Sequence, residues 1–367
     1  MAQQKYKIVI NGKLPPPYMG PAIATQVLLN SDLKNRFNLI HFDNTINKTI
    51  NTQGKAELGK VLKTLGLYLS FLKLLRNEKP DLVLIPISQT TVGFLKDAPY
   101  VFLAKWFSKH TLIQLRGSNL KNWLNSSSQF VKTFFRTAIK GTDGAIVLGQ
   151  NLKHLFKDYY PNENIYVAPN GANYQFSDEV LERVDDRLRV LYLANLLESK
   201  GVELVLDAAI KSGGGDMVFQ FVGGWNGETP FKKRFLSKLE NCKDWVSVHP
   251  PVSGNDKLNK LQEADVFVFP PIMPEGHPWV LVEAMAAGLP IIATDQGAIV
   301  ETLKDGINGF VVGKDNSDEI VEKLNQLRRD PTLRGKMAHN SRKIYEEKLT
   351  EAQMVKNYVS IFHSVIT

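Results

Sequence analysis

Two carboxylates, Glu275 and Glu283, stand with seven residues between them in the stretch PEGHPWVLVEAMAAGLPIIAT, residues 274–294, which otherwise has the composition of a protein core. Pro278 has the fixed φ and the missing N–H group that suit the first position of a helix, and a glycine and a proline follow the apolar pattern. The stretch therefore predicts a helix over residues 278–287. The first acid then lies in the loop before this helix and the second lies within it, so the pair is expected to line a binding crevice.

The position of the two acids depends on the elements around them. Short apolar runs at 264–271 and 290–294 predict buried parallel strands on either side of the helix. The same alternation of strands and helices continues along almost the whole chain, which is typical of parallel sheets with helices on both faces. The predicted strands lie near residues 6–10, 37–42, 81–87, 111–115, 143–148 and 165–168, and then near 187–194, 217–222, 245–249, 265–270, 290–294 and 310–312. The predicted helices of the first half lie near 22–33, 56–77, 98–108, 128–140 and 151–157.

The chain divides at a polar, irregular stretch, residues 169–186, which we interpret as a linker. A length of 367 residues is enough for two domains. The sequence thus predicts an α/β protein with two doubly wound Rossmann-like domains, residues 1–172 and 187–349, that face a shared cleft. Ligands of such folds bind at the carboxyl ends of the strands, so we expect the site there.

Composition limits the class of protein. The chain is 43% hydrophobic and 22% charged, and no window reaches 18 uninterrupted apolar residues, so a membrane-spanning helix is not expected. A single cysteine, Cys242, excludes an internal disulfide and a cysteine-rich metal site. The first ten residues lead into a strand-like run without the apolar stretch of a secretory signal. The cytoplasm is therefore the predicted compartment.

Two turns in the second half have features of phosphate sites. The turn ANLLESKG, residues 194–201, follows a strand and opens a helix, so Lys200 stands where a helix amino terminus adds N–H donors. The later turn FVGGW brings Gly223 and Gly224 to a strand end, where glycine permits close approach of the backbone to a ligand. Neither turn is a P-loop or a complete dinucleotide fingerprint, so neither identifies a ligand by itself.

Residues 188–313 resemble the donor-binding half of the GT-B glycosyltransferases, specifically glycosyltransferase family 4. The resemblance rests on the E-x7-E element with the wording EG…EAMAAGLPIIAT, which is followed by GAIVETLKDGINGFVV at 297–312. KG at 200–201, PNG at 169–171 and LPPPYMGP at 14–21 match in the same order. The resemblance therefore covers nearly the whole chain.

This resemblance implies a retaining, metal-independent glycosyltransferase of the hexosyltransferase type. Such an enzyme moves a sugar from a nucleotide-diphosphate sugar, such as a UDP- or GDP-sugar, to a hydroxyl acceptor, and it needs neither a metal nor a bound cofactor. The resemblance also implies that the first domain binds the acceptor and that the last helix, within residues 350–367, packs back on that domain. A saccharide or lipid-linked saccharide acceptor in bacterial polysaccharide biosynthesis is the expected setting.

The resemblance assigns different tasks to the two acids. Glu283 would accept hydrogen bonds from both ribose hydroxyls of the donor, a bidentate task that suits a carboxylate. Glu275 would hold hydroxyls of the donor sugar, and Lys200 would neutralise the diphosphate as it leaves. The other predicted donor-binding residues are Gly20, Asn195, Gly223, Gly224, Gly276, His277, Pro278 and Trp279.

Two positions differ from the family pattern. Asn195 stands where the family usually has an arginine, and Gln114 and Arg116 stand where the first domain often has a histidine. Arg116 is therefore predicted as a catalytic residue that supplies the missing positive charge. Two alternatives to transfer stay open: a nucleotide-sugar epimerase or hydrolase on the same fold, and a catalytically silent nucleotide-sugar-binding subunit.

Charge is concentrated in residues 105–157, which carry nine Lys or Arg against one acid, a net charge of +8 that equals the surplus of the whole chain. Basic and aromatic residues together are typical of contact with an anionic membrane surface. Peripheral attachment to the inner face of the cytoplasmic membrane is thus a second expectation for location, unless the aromatic residues are core and the lysines solvated. Nucleic acid is not an expected partner, because no nucleic-acid motif accompanies the charge. The aromatic residues concerned are Trp106, Phe107, Trp123, Phe130, Phe134 and Phe135.

Overall fold

The computed structural model describes residues 5–16, 18–45, 58–177 and 185–367. Contacts divide the chain into two compact units, which we call unit 1 and unit 2. Unit 1 comprises Met1–Ala172 and Glu351–Thr367, and unit 2 comprises Asn173–Thr350.

Unit 1 is built on a parallel six-stranded sheet. Its strands are β1 (Lys7–Asn11), β2 (Asn38–Phe42), β3 (Leu82–Ile87), β4 (His110–Leu115), β5 (Gly144–Val147) and β6 (Ile165–Val167). Its helices are α1 (Gly20–Asn30), α2 (Leu33–Arg36), α3 (Leu58–Glu78), α4 (Thr91–Phe107), α5 (Leu120–Ser126), α6 (Gln129–Ile139) and, at the end of the chain, α14 (Glu351–Ile366). The strand order is β2-β1-β3-β4-β5-β6. The topological switch point therefore lies between β1 and β3.

Unit 2 repeats this architecture. Its strands are β7 (Leu188–Leu193), β8 (Met217–Val222), β9 (Val246–His249), β10 (Val266–Phe269), β11 (Ile291–Thr294) and β12 (Gly309–Val312). Its helices are α7 (Val202–Ser212), α8 (Pro230–Leu239), α9 (Gly254–Gln262), α10 (Trp279–Ala286), α11 (Ile299–Thr302), α12 (Ser317–Arg329) and α13 (Pro331–Lys348). The order β12-β11-β10-β7-β8-β9 sets the switch point between β7 and β10, which pair in parallel.

The sheets form where the sequence has continuous apolar runs. Strands β10 (VFVF) and β11 (IIAT) are buried at every residue, as expected for parallel strands with helices on both faces. The predicted α/β class with two doubly wound sheets is confirmed, and each predicted strand lies within one residue of an observed one at both ends.

The helix predictions of the first half are less accurate. Helix α4 begins at Thr91, well before the predicted start at 98, because Thr90 caps it: the Thr90 Oγ1 accepts a hydrogen bond from the Gly93 N–H at 3.2 Å. The predicted helix near 151–157 is instead a 3-10 turn, Gln150–Leu155, and α5 was not predicted.

Helix α10, which carries Glu283, is one residue shorter at each end than predicted. Pro278 has a helical φ of −66° but an extended ψ of 132°, so it is the N-cap of α10 and not its first residue. Gly288 has a φ of 70°, a left-handed conformation that ends the helix and that glycine adopts at little cost.

The last helix packs within unit 1, where the rings of Phe362 and Phe37 meet edge to face at 5.5 Å. The stretch predicted as a linker divides between the units. Within it, Tyr174 and Phe176 pack against the core of unit 2, and residues 178–184 lie outside the described part of the chain.

Candidate active site

Glu283 is the most deeply buried acid of the predicted site, with a residue exposure of 3%. It lies on α10. Its Oε1 accepts a hydrogen bond from the Lys257 ammonium of α9 and another, at 3.5 Å, from the Tyr174 hydroxyl. Its other oxygen, Oε2, is buried and has no hydrogen-bond partner among the described residues. One carboxylate oxygen is therefore anchored and the other is available to a ligand.

The charge state of Glu283 reflects two opposing effects. Burial raises the pKa of this carboxyl, and the adjacent Lys257 ammonium together with the Tyr174 hydroxyl lowers it. Burial and the neighbouring Glu283 hold the pKa of Tyr174 well above its ordinary value, so the phenol stays neutral and donates a hydrogen bond to the carboxylate. The sequence reasoning missed Lys257 and Tyr174, because neither lies in a recognisable motif.

Lys200 and Glu275 form an ion pair at the switch point of unit 2. Lys200 follows β7 and Glu275 follows β10, and these strands are neighbours in the sheet. The ammonium lies 5.9 Å from the ring centroid of Phe269, the last residue of β10, which adds a cation–π contact. Both side chains are partly exposed, so the pair is accessible to a ligand.

Gly297 packs closely against the backbone of the loop that carries Glu275. Gly297 has a φ of 57°, and a Cβ there would lie 1.8 Å from the carbonyl oxygen of Glu275. The Ala298 N–H donates to the carbonyl of Gly276 at 2.8 Å. The motif GAIVET thus fixes the loop that carries the catalytic candidate, and any side chain at 297 would displace it.

Most residues between the two glutamates are buried. His277 is buried, its Nε2 lies 3.4 Å from the Thr302 Oγ1, and burial lowers its pKa to about 4, so the imidazole is neutral at pH 7. Trp279 is also buried, and the carbonyl of Pro278 accepts from the Leu281 N–H at 3.1 Å.

The residues of the two turns, 194–201 and 221–225, differ in how closely they are packed. A Cβ at Gly223 would lie 1.8 Å from the carbonyl oxygen of Ala194, so this glycine permits the β7 and β8 ends to approach each other. Gly224 has more room, since its nearest neighbour to an added Cβ is Pro251 at 3.6 Å. Asn195 is exposed in the other turn, residues 194–201, and brings no charge to it.

Arg116 lies in unit 1, just after β4. Its Nη1 donates to the Asn170 Oδ1 at 3.4 Å, and its buried Nε has no partner in the described part of the chain. Gln114 lies two residues earlier, within β4. Its Nε2 donates to the Tyr358 hydroxyl at 2.6 Å, and its Oε1 has no partner among the described residues. Burial lowers the pKa of Arg116, and contact with Tyr358 opposes this.

More buried polar atoms gather at the same sheet edge, and the sequence reasoning missed them. Asn11 ends β1, and its Oδ1 accepts from Asn44 at 2.8 Å. Gln89 follows β3 and packs against Gly117, where a Cβ would meet its Nε2 at 2.0 Å. Within the described residues, partners are lacking for Asn11 Nδ2, Asn44 Oδ1, Thr45 Oγ1 and Gln89 Oε1. We call the side chains Asn11, Asn44, Thr45, Gln89, Gln114 and Arg116 the polar edge of unit 1.

Other predicted features have mixed outcomes. Gly20 is exposed at the start of α1. In the basic segment 105–157, Trp123 and Phe135 are core residues, and Trp106 and Phe130 are exposed. The segment is therefore not a continuous aromatic surface. Over the residues that the structure describes, there is no group of three metal-binding side chains, and no helix is long and apolar enough to cross a membrane.

Residues 173–344 match the protein family described as "Glycosyl transferases group 1". An uncharacterized glycosyltransferase of Methanocaldococcus jannaschii is 28% identical over 239 residues, which cover 63% of this chain and 62% of that protein. The capsular polysaccharide biosynthesis glycosyltransferase CapM of Staphylococcus aureus is 25% identical over 240 residues, which cover 60% of this chain and 61% of that protein. The chain thus spans about three fifths of the length of these curated relatives.

Solved structures match along nearly the whole chain. Anabaena HepE in complex with UDP matches with a TM-score of 0.74 at 17% identity, over 98% of this chain and 100% of that one. Sucrose-phosphate synthase from Thermosynechococcus elongatus matches with a TM-score of 0.77 at 14% identity, over 98% of this chain and 99% of that one. Taken with the two doubly wound sheets, these findings show that the chain has the GT-B fold, and its residues 173–344, within unit 2, are similar to the group 1 glycosyl transferases.

Proposed function

We propose that the protein is a retaining glycosyltransferase of family 4 that moves a sugar from a nucleotide-diphosphate sugar to a hydroxyl acceptor. The observation that carries this is the Lys200–Glu275 pair at the switch point of unit 2, with the free Oε2 of Glu283 on the following helix. Structures of Anabaena HepE with UDP and with UDP-glucose support a nucleotide sugar as the donor.

Each charged side chain has one task in this proposal. The Glu283 carboxylate accepts hydrogen bonds from the ribose hydroxyls, and Lys257 keeps it ionised in its buried position. Glu275 binds hydroxyls of the donor sugar. Lys200 stabilises the diphosphate, on which negative charge grows as the glycosidic bond breaks. When the diphosphate binds, it competes with Glu275 for the lysine.

The polar edge of unit 1 is the proposed acceptor site. Amide side chains offer both a donor and an acceptor, which suits the hydroxyl groups of a saccharide. Leaving such groups buried without partners costs about 1–3 kcal/mol each, so they are expected to serve a ligand. Arg116 has no carboxylate ion pair among the described residues, and we propose that it binds an anionic group during transfer. The name of the relative CapM supports an acceptor from polysaccharide biosynthesis, with a saccharide or lipid-linked saccharide as the candidates.

The proposed function is tested by incubating the protein with UDP- and GDP-sugars. A thermal-shift screen comes first, because a donor at 100 times its dissociation constant stabilises the folded state by about 2.7 kcal/mol. The donor that binds is then supplied with a panel of saccharide and lipid-linked acceptors. We expect a glycosidic product that retains the anomeric configuration of the donor, as measured by NMR.

The same assay separates the alternatives. Release of free sugar or of an epimer without an acceptor would favour a hydrolase or epimerase. Donor binding without turnover across the acceptor panel would favour a silent subunit. Transfer should persist with excess chelator, because Lys200 can balance the diphosphate charge; loss that only manganese or magnesium restores would contradict metal independence.

The acceptor site gives a separate prediction. Gln89→Leu keeps the size of the side chain and removes an amide whose Oε1 has no partner among the described residues, so it should raise the acceptor KM about three- to tenfold and leave UDP affinity unchanged. The melting temperature should not fall, because the lost group has an unsatisfied oxygen in the free protein. Steady-state kinetics and calorimetry measure these effects. Gln326→Leu, at an exposed position on α12, is the control. An unchanged acceptor KM in Gln89→Leu would remove this residue from the acceptor site.

A further inference from the structure

Exposed apolar side chains are concentrated on three neighbouring helices of unit 1. Twelve large hydrophobic side chains are exposed among the described residues, and seven of them lie on α3, α4 and α6. Six form what we call the apolar face: Leu62, Leu65 and Leu69 of α3, Val92 and Leu95 of α4, and Phe130 of α6. Their exposed fractions run from 44% to 71%.

Contacts between α3 and α4 set the alignment of the two helices. The Tyr68 hydroxyl donates to the Lys96 carbonyl at 3.0 Å, and the Tyr68 and Tyr100 rings are 4.9 Å apart. Further along, the Arg76 guanidinium lies 5.2 Å from the Phe107 ring. Each α3 residue is thus level with the α4 residue about 30 positions later. Leu62 and Leu65 are accordingly level with Val92 and Leu95 along the two helices.

Helix α6 extends this face. Phe130 stacks on Phe134 at 6.3 Å, and Phe134 meets the Phe102 ring of α4 at 6.0 Å. The three helices also carry eight Lys or Arg against two acids, Glu78 and Asp97. Asp97 is tied to the Ser88 N–H at 2.7 Å, and burial raises its pKa, so it adds little negative charge to the face. Apolar side chains here are surrounded by positive charge, with Lys63 and Lys96 exposed next to the leucines.

We infer that the apolar face docks on an anionic lipid surface. Rows of leucine at i, i+3 and i+7 on a helix flanked by lysines match the pattern by which helices lie in a membrane interface. The positive charge selects anionic lipids over an uncharged protein surface. The docking surface differs from the one that the sequence predicted, since it includes α3 and excludes the buried Trp123 and Phe135.

This surface lies at the same end of unit 1 as the polar edge. Val92 follows Gln89 by three residues, and the amino termini of helices in parallel sheets lie at the carboxyl ends of the strands. Docking would therefore bring the proposed acceptor site to the lipid surface. This consequence rests on the proposed function and favours a lipid-linked acceptor, but lipid docking itself does not require transfer activity.

Sedimentation with vesicles tests the inference. The wild type should bind phosphatidylglycerol–phosphatidylcholine vesicles, bind phosphatidylcholine alone weakly, and dissociate as salt rises, because the screening length falls to about 8 Å at physiological ionic strength. Leu65→Glu with Leu69→Glu should lower the partition coefficient at least about tenfold, the effect of withdrawing one leucine from an apolar phase. Lys63→Glu with Lys96→Glu should reduce binding to anionic vesicles only.

Trp106→Ser is the matched control. Trp106 is 74% exposed, but it lies at the other end of α4, about seven residues or about 10 Å beyond the level of Leu69, so its variant should keep most of the wild-type binding. Equal vesicle binding by the double leucine variant, or none by the wild type, would overturn the inference. So would a dimer of the wild type that this variant dissociates, since the face would then bind a second copy. UDP affinity measured on the same proteins checks folding and reports separately on the donor site.

Discussion

Replacing Lys200 with alanine should lower kcat/KM for sugar transfer by at least ten- to a hundredfold. A charge-assisted hydrogen bond contributes roughly 1.5–3 kcal/mol, and an interaction that strengthens in the transition state acts on the rate by that amount. The substitution also leaves Glu275 without its cation in a position where its side chain is only 15% exposed. The loss should appear mainly in kcat, because the charge on the leaving diphosphate develops in the transition state.

Further variants distinguish this role from a structural one. Asn195→Arg in the Lys200→Ala background should restore part of the lost rate, since it returns a cation to the same turn. Glu275→Gln should lower kcat with little effect on donor affinity. Lys211→Ala, which removes an exposed lysine paired with Asp318 on the surface, is the matched control and should leave kinetics unchanged. Full turnover in Lys200→Ala would refute the phosphate assignment.

Replacing Glu283 with alanine should raise the dissociation constant for UDP about a hundredfold or more. Two hydrogen bonds from ribose to a carboxylate would be lost, each worth roughly 1.5–3 kcal/mol. Because the ribose is held equally in the ground and transition states, the donor KM should rise and kcat should change little. If the UDP dissociation constant and the donor KM rose only slightly, the ribose assignment would be contradicted. Calorimetry with UDP measures the effect without an acceptor.

Lys257→Met should make UDP affinity depend on pH. The ionised carboxylate of Glu283 accepts both ribose hydrogen bonds, so affinity is complete above its folded-state pKa and is lost as pH falls through that pKa. Burial already raises this pKa, and removing Lys257 raises it further. The variant should therefore lose affinity at a higher pH than the wild type, by up to about tenfold per pH unit.

The surroundings of Glu283 define the controls for this experiment. Tyr174 faces the carboxylate from the segment before β7, and its high pKa keeps it neutral throughout the assay range. On α13, Tyr345 lies behind Tyr174, and Arg342 is bound to the Ala286 carbonyl at the end of α10. Lys257→Arg should restore the wild-type profile. Lys260→Met, one turn along α9 where the lysine pairs with Glu263, should not shift it, and a shift equal to that of Lys257→Met would refute a specific role for Lys257.

The sequence alone determined the fold class and the location of the loop that we propose binds the donor. Parallel strands covered on both faces are continuous apolar runs, so their positions can be read from local composition, as β10 and β11 illustrate. The block that contains Glu275 and Glu283 is contiguous, and its helix begins and ends at local signals, Pro278 and Gly288. Lys200 was found for the same reason, because a strand-to-helix turn is a local pattern.

The tertiary structure alone decided which distant side chains meet. Lys200 reaches Glu275 across 75 residues because β7 and β10 are neighbours, an order that local composition does not reveal. Tyr174 and Lys257 converge on Glu283 from 109 and 26 residues away, and nothing in their own sequence neighbourhoods distinguishes them from surface residues. The apolar face likewise becomes visible only when α3, α4 and α6 lie side by side. Periodicity indicates which residues of one helix or strand are buried. A site depends on which helix and strand ends become neighbours in the sheet.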